Sequence, residues 1–258
     1  MKKRVISGAI LLLLLIIFLT TSSKLFAMFI LLCGLLGVEE FLNIKYKDKK
    51  LKVIELIAVV SFVMISLNNL IFDINYESLL LIPLLALTIP IIFYNDSDRY
   101  NINDALYVLG VVYFLGLSFG NIIYFRDINT PVCIYIFIIA FITDTYAYIG
   151  GSLIGKHKLT SISPKKTWEG TTIGTIMGCF IGSVFYYFVI DDSLVFAILL
   201  SLFLTVLSEI GDLIFSSIKR YYKVKDYSNL IPGHGGILDR FDSVIYVSLG
   251  IQLILNIF

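Results

Sequence analysis

Acidic and basic side chains form a regular row at residues 209–220, in a stretch that is otherwise apolar. Most of them are separated by three or four residues, so they share one face if the stretch is helical. In chain order they are Glu209, Asp212, Ser216, Lys219 and Arg220. The carboxylates come first, a hydroxyl follows and the cations come last. This order suits a metal ion that holds a phosphate whose other oxygens meet Lys or Arg.

A glycine-rich loop at residues 231–238 leads from this row to two further acids. Three of the four residues 233–236 are glycines, which allow positive φ, and in such turns consecutive N–H groups can bind an anion. Asp239 and Asp242 then lie one helical turn apart at the start of the next apolar stretch, where their oxygens suit Mg²⁺. An interfacial turn followed by two acids at a helix N-terminus is the structural alternative.

A third polar element joins Asp144, an acid inside an apolar stretch, to the segment 163–170, which reads Ser-Pro-Lys-Lys-Thr-Trp-Glu-Gly. The Ser-Pro pair predicts the start of a helix, with a capping hydroxyl and a proline at the first position. Lys165 and Lys166 could contact a triphosphate or an anionic lipid headgroup. Alternatively, the two residues are juxtamembrane lysines of the kind that flank the cytosolic ends of membrane helices.

The composition of the chain indicates that these elements lie in a membrane. Of its 258 residues, 58% are hydrophobic and 15% are charged, whereas a soluble domain carries about 25% charged residues. The apolar residues form uncharged runs, and the length of each run is close to the roughly 20 residues that a helix needs to cross a bilayer. The sequence therefore predicts an all-α, polytopic transmembrane bundle of about nine spans. We expect the spans near residues 4–20, 24–43, 52–70, 78–94, 103–124, 131–151, 169–190, 194–217 and 240–258.

The distribution of Lys and Arg predicts the orientation of these spans. With the N-terminus in the cytosol, all 20 Lys and Arg residues except Lys24 and Arg126 fall on the cytosolic side, as the positive-inside rule requires. We therefore expect a multi-pass protein of the cell (inner) membrane whose chemistry faces the cytosol. We expect residues 1–130 to form the N-terminal helices and residues 131–258 the catalytic region.

Three of the acids, Asp144, Glu209 and Asp212, interrupt predicted spans. An ionised carboxylate at the bilayer centre costs about 2.5–3.5 kcal/mol on insertion scales, so we expect the protein to use them. They lie in the cytosolic halves of their spans, where pairing with a nearby Lys is the alternative. For Glu209 the two interpretations are equally well supported.

These motifs resemble the signature of the phosphatidate cytidylyltransferases, also called CDP-diacylglycerol synthases. The match shows no departure from the signature, and it covers residues from about 140 to the C-terminus. Residues 163–170 and the region of Asp144 also look like family hallmarks. The signature residues are Ser216-Ser217-Ile218-Lys219-Arg220, then after four residues Lys225-Asp226, then Pro232-Gly233-His234-Gly235-Gly236 and Asp239-Arg240-Phe241-Asp242.

The resemblance implies a Mg²⁺-dependent reaction in which CTP and phosphatidic acid give CDP-diacylglycerol and pyrophosphate. It also implies a homodimer with a cytosol-facing cavity, and a monovalent cation such as K⁺ beside the Mg²⁺. By position, Asp212 and Asp239 correspond to the metal ligands. We assign catalysis to Lys219, Arg220, Asp144 and Asp242. We assign substrate binding to Ser216, Lys165, Lys166, His234, Gly235, Gly236 and Arg240.

Two other functions stay open at this point. A cytidylyltransferase that acts on another lipid substrate would use the same arrangement. A secondary transporter also suits intramembrane carboxylates and glycine-broken helices, although the polar residues here crowd the cytosolic ends of the spans instead of the midplane. The net charge of +1 gives no indication of a nucleic-acid partner.

Overall fold

The structure is a computed structural model that describes residues 10, 13–47, 51–94, 99–231, 233 and 235–257. Regular structure in these residues is helical, apart from two isolated β-bridges, which confirms that the fold is all-α. The main helices are α1 (Ser23–Lys45), α2 (Lys52–Ser66), α3 (Tyr76–Thr88), α4 (Ile102–Ile128), α5 (Thr130–Ile154), α6 (Trp168–Val189), α7 (Leu194–Tyr221) and α8 (Leu238–Ile257). A helical segment at 13–20, a π-helical turn at Asn68–Phe72 and a 3₁₀ helix at Ile89–Phe93 complete the description.

Six helical segments of this described part are long and apolar enough to cross a membrane. They are Ser23–Lys45, Tyr76–Phe93, Ile102–Ile128, Thr130–Ile154, Trp168–Val189 and Leu194–Tyr221. The first predicted span includes residues outside the described ones. The third corresponds to α2, which is 15 residues long and changes to a π-helical turn. The ninth corresponds to α8, which begins with charged residues, so the number of nine spans stays a prediction.

The start of α6 differs from the predicted one. The Ser-Pro pair at 163–164 does not begin the helix, because the backbone N–H of Lys166 donates to the carbonyl of Ser163 (3.0 Å) and closes a turn there. The helix begins at Trp168 instead. The hydroxyl of Thr167 accepts from the N–H of Gly170 (3.1 Å), which satisfies one of the donors that the first turn of a helix leaves unpaired.

The described residues divide into two compact units. The first contains the chain up to Tyr124 together with Tyr227–Ile237, and the second contains Phe125–Asp226 and the chain from Leu238 onward. In the first unit, an ion pair of 2.9 Å joins Lys45 of α1 to Asp104 of α4. This pair ties two helices together at residues that are 59 positions apart in sequence (104 − 45).

The second unit is a bundle of α5, α6, α7 and α8. Helix α6 packs closely on α5 because it presents a glycine at every fourth position, from residue 170 to residue 182. A Cβ atom on Gly174 would lie 2.7 Å from the carbonyl oxygen of Thr143 and 2.8 Å from the Cβ of Ala147. Small residues at this spacing let membrane helices approach closely. The approach places Asp144 in the same bundle as the acids of α7 and α8.

Candidate active site

A cavity of about 440 Å³ lies within the second unit. Its wall includes eight of the residues that the sequence analysis assigned to the site: Asp144, Lys165, Lys166, Asp212, Lys219, Asp239, Arg240 and Asp242. The remaining residues of the wall are Ala147, Tyr148, Gly151, Ser152, Ser163, Thr167, Thr171 and Asp226. The cavity therefore brings together side chains from α5, α7, α8 and the loop between α5 and α6.

A buried ion pair joins α7 to α8 at this cavity. The Nζ of Lys219 donates to Oδ1 of Asp239 at 2.7 Å, and the two residues are 8% and 6% exposed. A charge that is removed from water needs a partner of opposite sign. Each of the two side chains can therefore be buried because the other neutralises its charge. The pair holds the first turn of α8 against the last turn of α7.

Lys166 reaches two carboxylates of α7 from the loop that precedes α6. Its Nζ lies 2.8 Å from Oε2 of Glu209 and 2.8 Å from Oδ2 of Asp212. Burial alone would lower the pKa of Lys166, but the opposite charges of Asp212 and Glu209 outweigh it and raise the pKa above its ordinary value. The ammonium group is therefore charged at neutral pH.

The other carboxylates of the wall converge from three helices. Ser243 donates to Oδ1 of Asp144 at 3.2 Å, and Ser216 donates to Oδ1 of Asp212 at 3.3 Å. Asp242 and Asp144 both lie within electrostatic range of Asp212. Like charges this close repel each other unless cations are present. The cavity therefore favours a positively charged ligand among its acids.

The chemistry of these side chains fits a hard divalent cation, because aspartate oxygens are the ligands that Mg²⁺ prefers. Among the described residues, however, no group of three His, Cys, Asp or Glu side chains stands ready to hold an ion. Lysine ammonium groups already contact one oxygen of Asp212 and one of Asp239. An ion on these two acids would have to share them with the lysines. Oε1 of Glu209 is buried and lacks a hydrogen-bond partner, while Oε2 of the same carboxylate contacts Lys166.

The loop that carries Lys166 is held in shape by Glu169, to which the sequence analysis gave no role. Oε1 of Glu169 lies 2.6 Å from Nδ1 of His157, and the carboxylate also accepts from the backbone N–H groups of Lys156 and His157. The backbone N–H of Trp168 donates to the carbonyl of His157 at 3.0 Å. These bonds close the loop at its base and present its lysines to the cavity.

Two of the predicted residues of α7 are not among the residues of the cavity wall. Ser216 is buried at 7% exposure and is linked to the wall through its hydrogen bond to Asp212. Arg220 is exposed and donates to the carbonyl oxygens of Ile162 (3.4 Å) and Val224 (2.9 Å). Arg220 therefore braces the two loops that flank α6 and α7 in this structure.

The glycine-rich loop belongs to the first unit, where Gly233 and Gly235 have positive φ values (81° and 84°), which glycine allows. Ile231 and Gly235 exchange two backbone hydrogen bonds, of 2.8 Å and 3.2 Å. The N–H of Gly235 is therefore used within the loop. His234 and Pro232 lie outside the described residues.

A buried acid of α1, Glu40, anchors this loop, and the sequence analysis missed it. Its Oε1 accepts from the hydroxyl of Ser228 (2.6 Å) and from the N–H of Ile237 (2.9 Å). A Cβ atom on Gly236 would lie 2.2 Å from the same oxygen, so a larger residue there would displace the carboxylate of Glu40. The available signal was an acid inside an apolar run, which is the same signal that singled out Asp144.

The amino-acid sequence was compared with models of known protein families. A sequence model of the cytidylyltransferase family matches residues 2–258. The chain belongs to the cytidylyltransferase family. It is therefore a nucleotidyltransferase. The resemblance seen in its motifs from about residue 140 onward is confirmed, and the family match also includes the first 130 residues, for which the motifs gave no resemblance.

The chain is similar to several proteins that share the same name. The chain is 32% identical to the phosphatidate cytidylyltransferase of Staphylococcus haemolyticus (strain JCSC1435) over 253 residues, which cover 96% of both chains. It is 30% identical to the protein of that name from Staphylococcus saprophyticus and 32% identical to the one from Staphylococcus aureus (strain COL), with the same coverage. The similarity thus spans both compact units.

Proposed function

We propose that the chain is a phosphatidate cytidylyltransferase, which converts CTP and phosphatidic acid to CDP-diacylglycerol and pyrophosphate. The observation that carries the proposal is the cavity in which carboxylates of α5, α7 and α8 meet lysines from α7 and from the loop before α6. Relatives of nearly full length that bear this name support the choice of substrates. The apolar helices around the cavity are consistent with a lipid substrate.

The reaction needs no activated side chain, because the phosphate of the lipid is itself the nucleophile. Its oxygen attacks the α-phosphorus of CTP in line and forms the new P–O bond, while the bond from the α-phosphorus to the bridging oxygen breaks and pyrophosphate leaves. Transfers of this type depend mainly on positioning and on neutralising charge. Lys219 and Lys166 face the cavity with the positive charge that this step requires.

Asp212 and Asp239 would hold the Mg²⁺ ion, which when bound supplies neutralisation of the nucleotide phosphates. Asp144 and Asp242 would add negative charge that retains the cation. Lys165 and Arg240 are exposed at the wall of the cavity and would contact phosphate groups of the nucleotide or the lipid. The assignments of Ser216, Arg220, His234, Gly235 and Gly236 to the substrates stay predictions, as does the monovalent cation.

We extend the proposal to the topology of the protein. The N-terminus and the cavity would face the cytosol, where CTP is available, and the chain would cross the cell membrane about nine times. The asymmetric distribution of Lys and Arg supports this orientation. The homodimer rests on the family resemblance, and cross-linking of the purified protein in lipid nanodiscs tests it.

A direct test is to incubate the purified protein with labelled CTP, Mg²⁺ and phosphatidic acid. We expect labelled CDP-diacylglycerol and an equal amount of pyrophosphate. If another lipid phosphate reacts and phosphatidic acid does not, the substrate assignment is wrong. If no lipid reacts and labelled substrate instead crosses a sealed vesicle, the transporter alternative replaces the proposal.

Lys219→Met is the matched variant for this assay, because it removes a cation from the wall of the cavity. We expect product formation to fall by at least about a hundredfold, the size of effect seen when one charge-stabilising group is removed. Lys158→Met is the control, because Lys158 is exposed and is not part of the wall. Equal activity in the two variants would contradict the role of Lys219.

A further inference from the structure

Lys166 stands between two carboxylates that differ in their surroundings. Oε2 of Glu209 and Oδ2 of Asp212 each lie 2.8 Å from its ammonium group. Asp212 belongs to the cavity wall, and its side chain is 28% exposed. The side chain of Glu209 is 5% exposed and is not among the residues of that wall. The lysine therefore has one partner that a ligand can reach and one that is sealed from it.

The three groups carry a net charge of −1, because one ammonium faces two carboxylates. The backbone on both sides of Lys166 is fixed, since its N–H donates to Ser163 and its carbonyl accepts from Leu159 (2.9 Å). Glu209 and Asp212 are three residues apart and lie on one face of α7. Small changes of the lysine rotamer therefore transfer the ammonium from one carboxylate toward the other without moving the loop.

We propose that Glu209 is a positioning residue that retains the ammonium group of Lys166 when a divalent cation binds Asp212. Lys166 and the cation compete for the same carboxylate, and Glu209 decides the competition because it gives the lysine a second partner. The proposal rests on the proposed function only in taking Asp212 as a ligand of the cation. Glu209 itself touches neither the cation nor the substrate.

Two substitutions have opposite expected effects on the binding of a cation. Glu209→Gln leaves Asp212 as the one carboxylate within ion-pair distance of Lys166 among the described residues, so the net charge of the three groups rises from −1 to 0 and the cation binds more weakly. Lys166→Met removes the competitor, so the net charge falls to −2 and the cation binds more tightly. The double variant returns to −1. A purely structural role of either residue would weaken binding in both variants.

The test is the Kd of Mn²⁺, measured by electron paramagnetic resonance on the purified full chain without nucleotide. We expect the Kd to rise at least about fivefold in Glu209→Gln and to fall at least about fivefold in Lys166→Met, within the usual range of coupling between two sites. The double variant is expected within about twofold of the wild type. Glu209→Asp, which keeps the charge, should bind better than Glu209→Gln and covers the case in which the latter does not fold.

Shifts in the same direction, no shift, or no Mn²⁺ binding by the wild type would each overturn the inference. Formation of CDP-diacylglycerol by the wild type is measured in parallel. Product without opposite shifts refutes the role of Glu209 and leaves the proposed function standing. Opposite shifts without product refute the proposed function and leave the competition for Asp212 standing.

Discussion

At the scale of single residues, the second unit depends on charges that are buried in pairs. Lys219 and Asp239 are both nearly inaccessible to solvent, and a distance of 2.7 Å joins them. A buried pair contributes little net stability compared with apolar residues, but the loss of one partner is costly because the other charge remains. The Lys219–Asp239 pair can therefore stay buried only while both partners are present.

We expect Lys219→Met to lower the free energy of unfolding by about 3–5 kcal/mol, the usual cost of an uncompensated buried charge. Asp239→Asn should have an effect of the same sign. The double variant Lys219→Met with Asp239→Asn should regain most of the stability while remaining inactive. Thermal unfolding in detergent measures these differences, and strictly additive losses in the double variant would contradict the pairing.

Glu40 provides a second prediction at this scale. Glu40→Ala leaves the hydroxyl of Ser228 and the N–H of Ile237 without their acceptor, and the unsatisfied N–H of Ile237, which is buried, costs about 1–3 kcal/mol. We expect a lower unfolding temperature and faster proteolysis of the loop at 228–237. Glu39→Ala is the control, because Glu39 is exposed. Equal behaviour of the two variants would show that Glu40 does not anchor the loop.

At the scale of elements, the close contact of α5 and α6 determines where Asp144 stands. Gly174 faces the backbone of α5 directly, with room for a hydrogen but not for a methyl group. Since membrane helices associate through such close packing, a larger side chain must push the two helices apart. The displacement would carry Asp144 away from the acids of α7 and α8.

We expect Gly174→Val to destabilise the protein by about 1–3 kcal/mol, the usual cost of overpacking, and to reduce activity further than stability alone explains. Gly110→Ala is the control, because no atom lies within 4 Å of the Cβ position there. Both variants are compared by thermal unfolding and by formation of CDP-diacylglycerol. Unchanged unfolding of Gly174→Val would contradict the packing described for α5 and α6.

At the scale of the whole molecule, local patterns predicted the elements better than the contacts between them. The spacing of Glu209 and Asp212 placed both on one helix face, because the period of a helix is fixed. No such rule relates Lys166 to them, since it comes from a loop that lies 43 residues earlier than Glu209. The contact of Glu40 with Ile237 spans 197 residues and leaves no local pattern.

Helix boundaries were predictable only where composition determined them. The apolar runs predicted α4 and α7 well, because hydrophobic length is read directly from the sequence. The change of α2 to a π-helical turn depends on Asn68, whose side chain bonds both backbone groups of Ile74 (2.9 Å and 3.0 Å). The start of α6 depends likewise on a turn within its preceding loop. Such side-chain and turn contacts compete with helix formation at distances that periodicity does not capture.

The central claim is that the acids of this cavity serve the transfer of a cytidylyl group from CTP to phosphatidic acid. The most direct measurement is the rate of CDP-diacylglycerol formation by purified Asp212→Asn at saturating Mg²⁺, with the exposed Asp192→Asn as control. We predict that Asp212→Asn loses at least about a hundredfold in rate while Asp192→Asn matches the wild type. A rate near that of the wild type in Asp212→Asn would contradict the account.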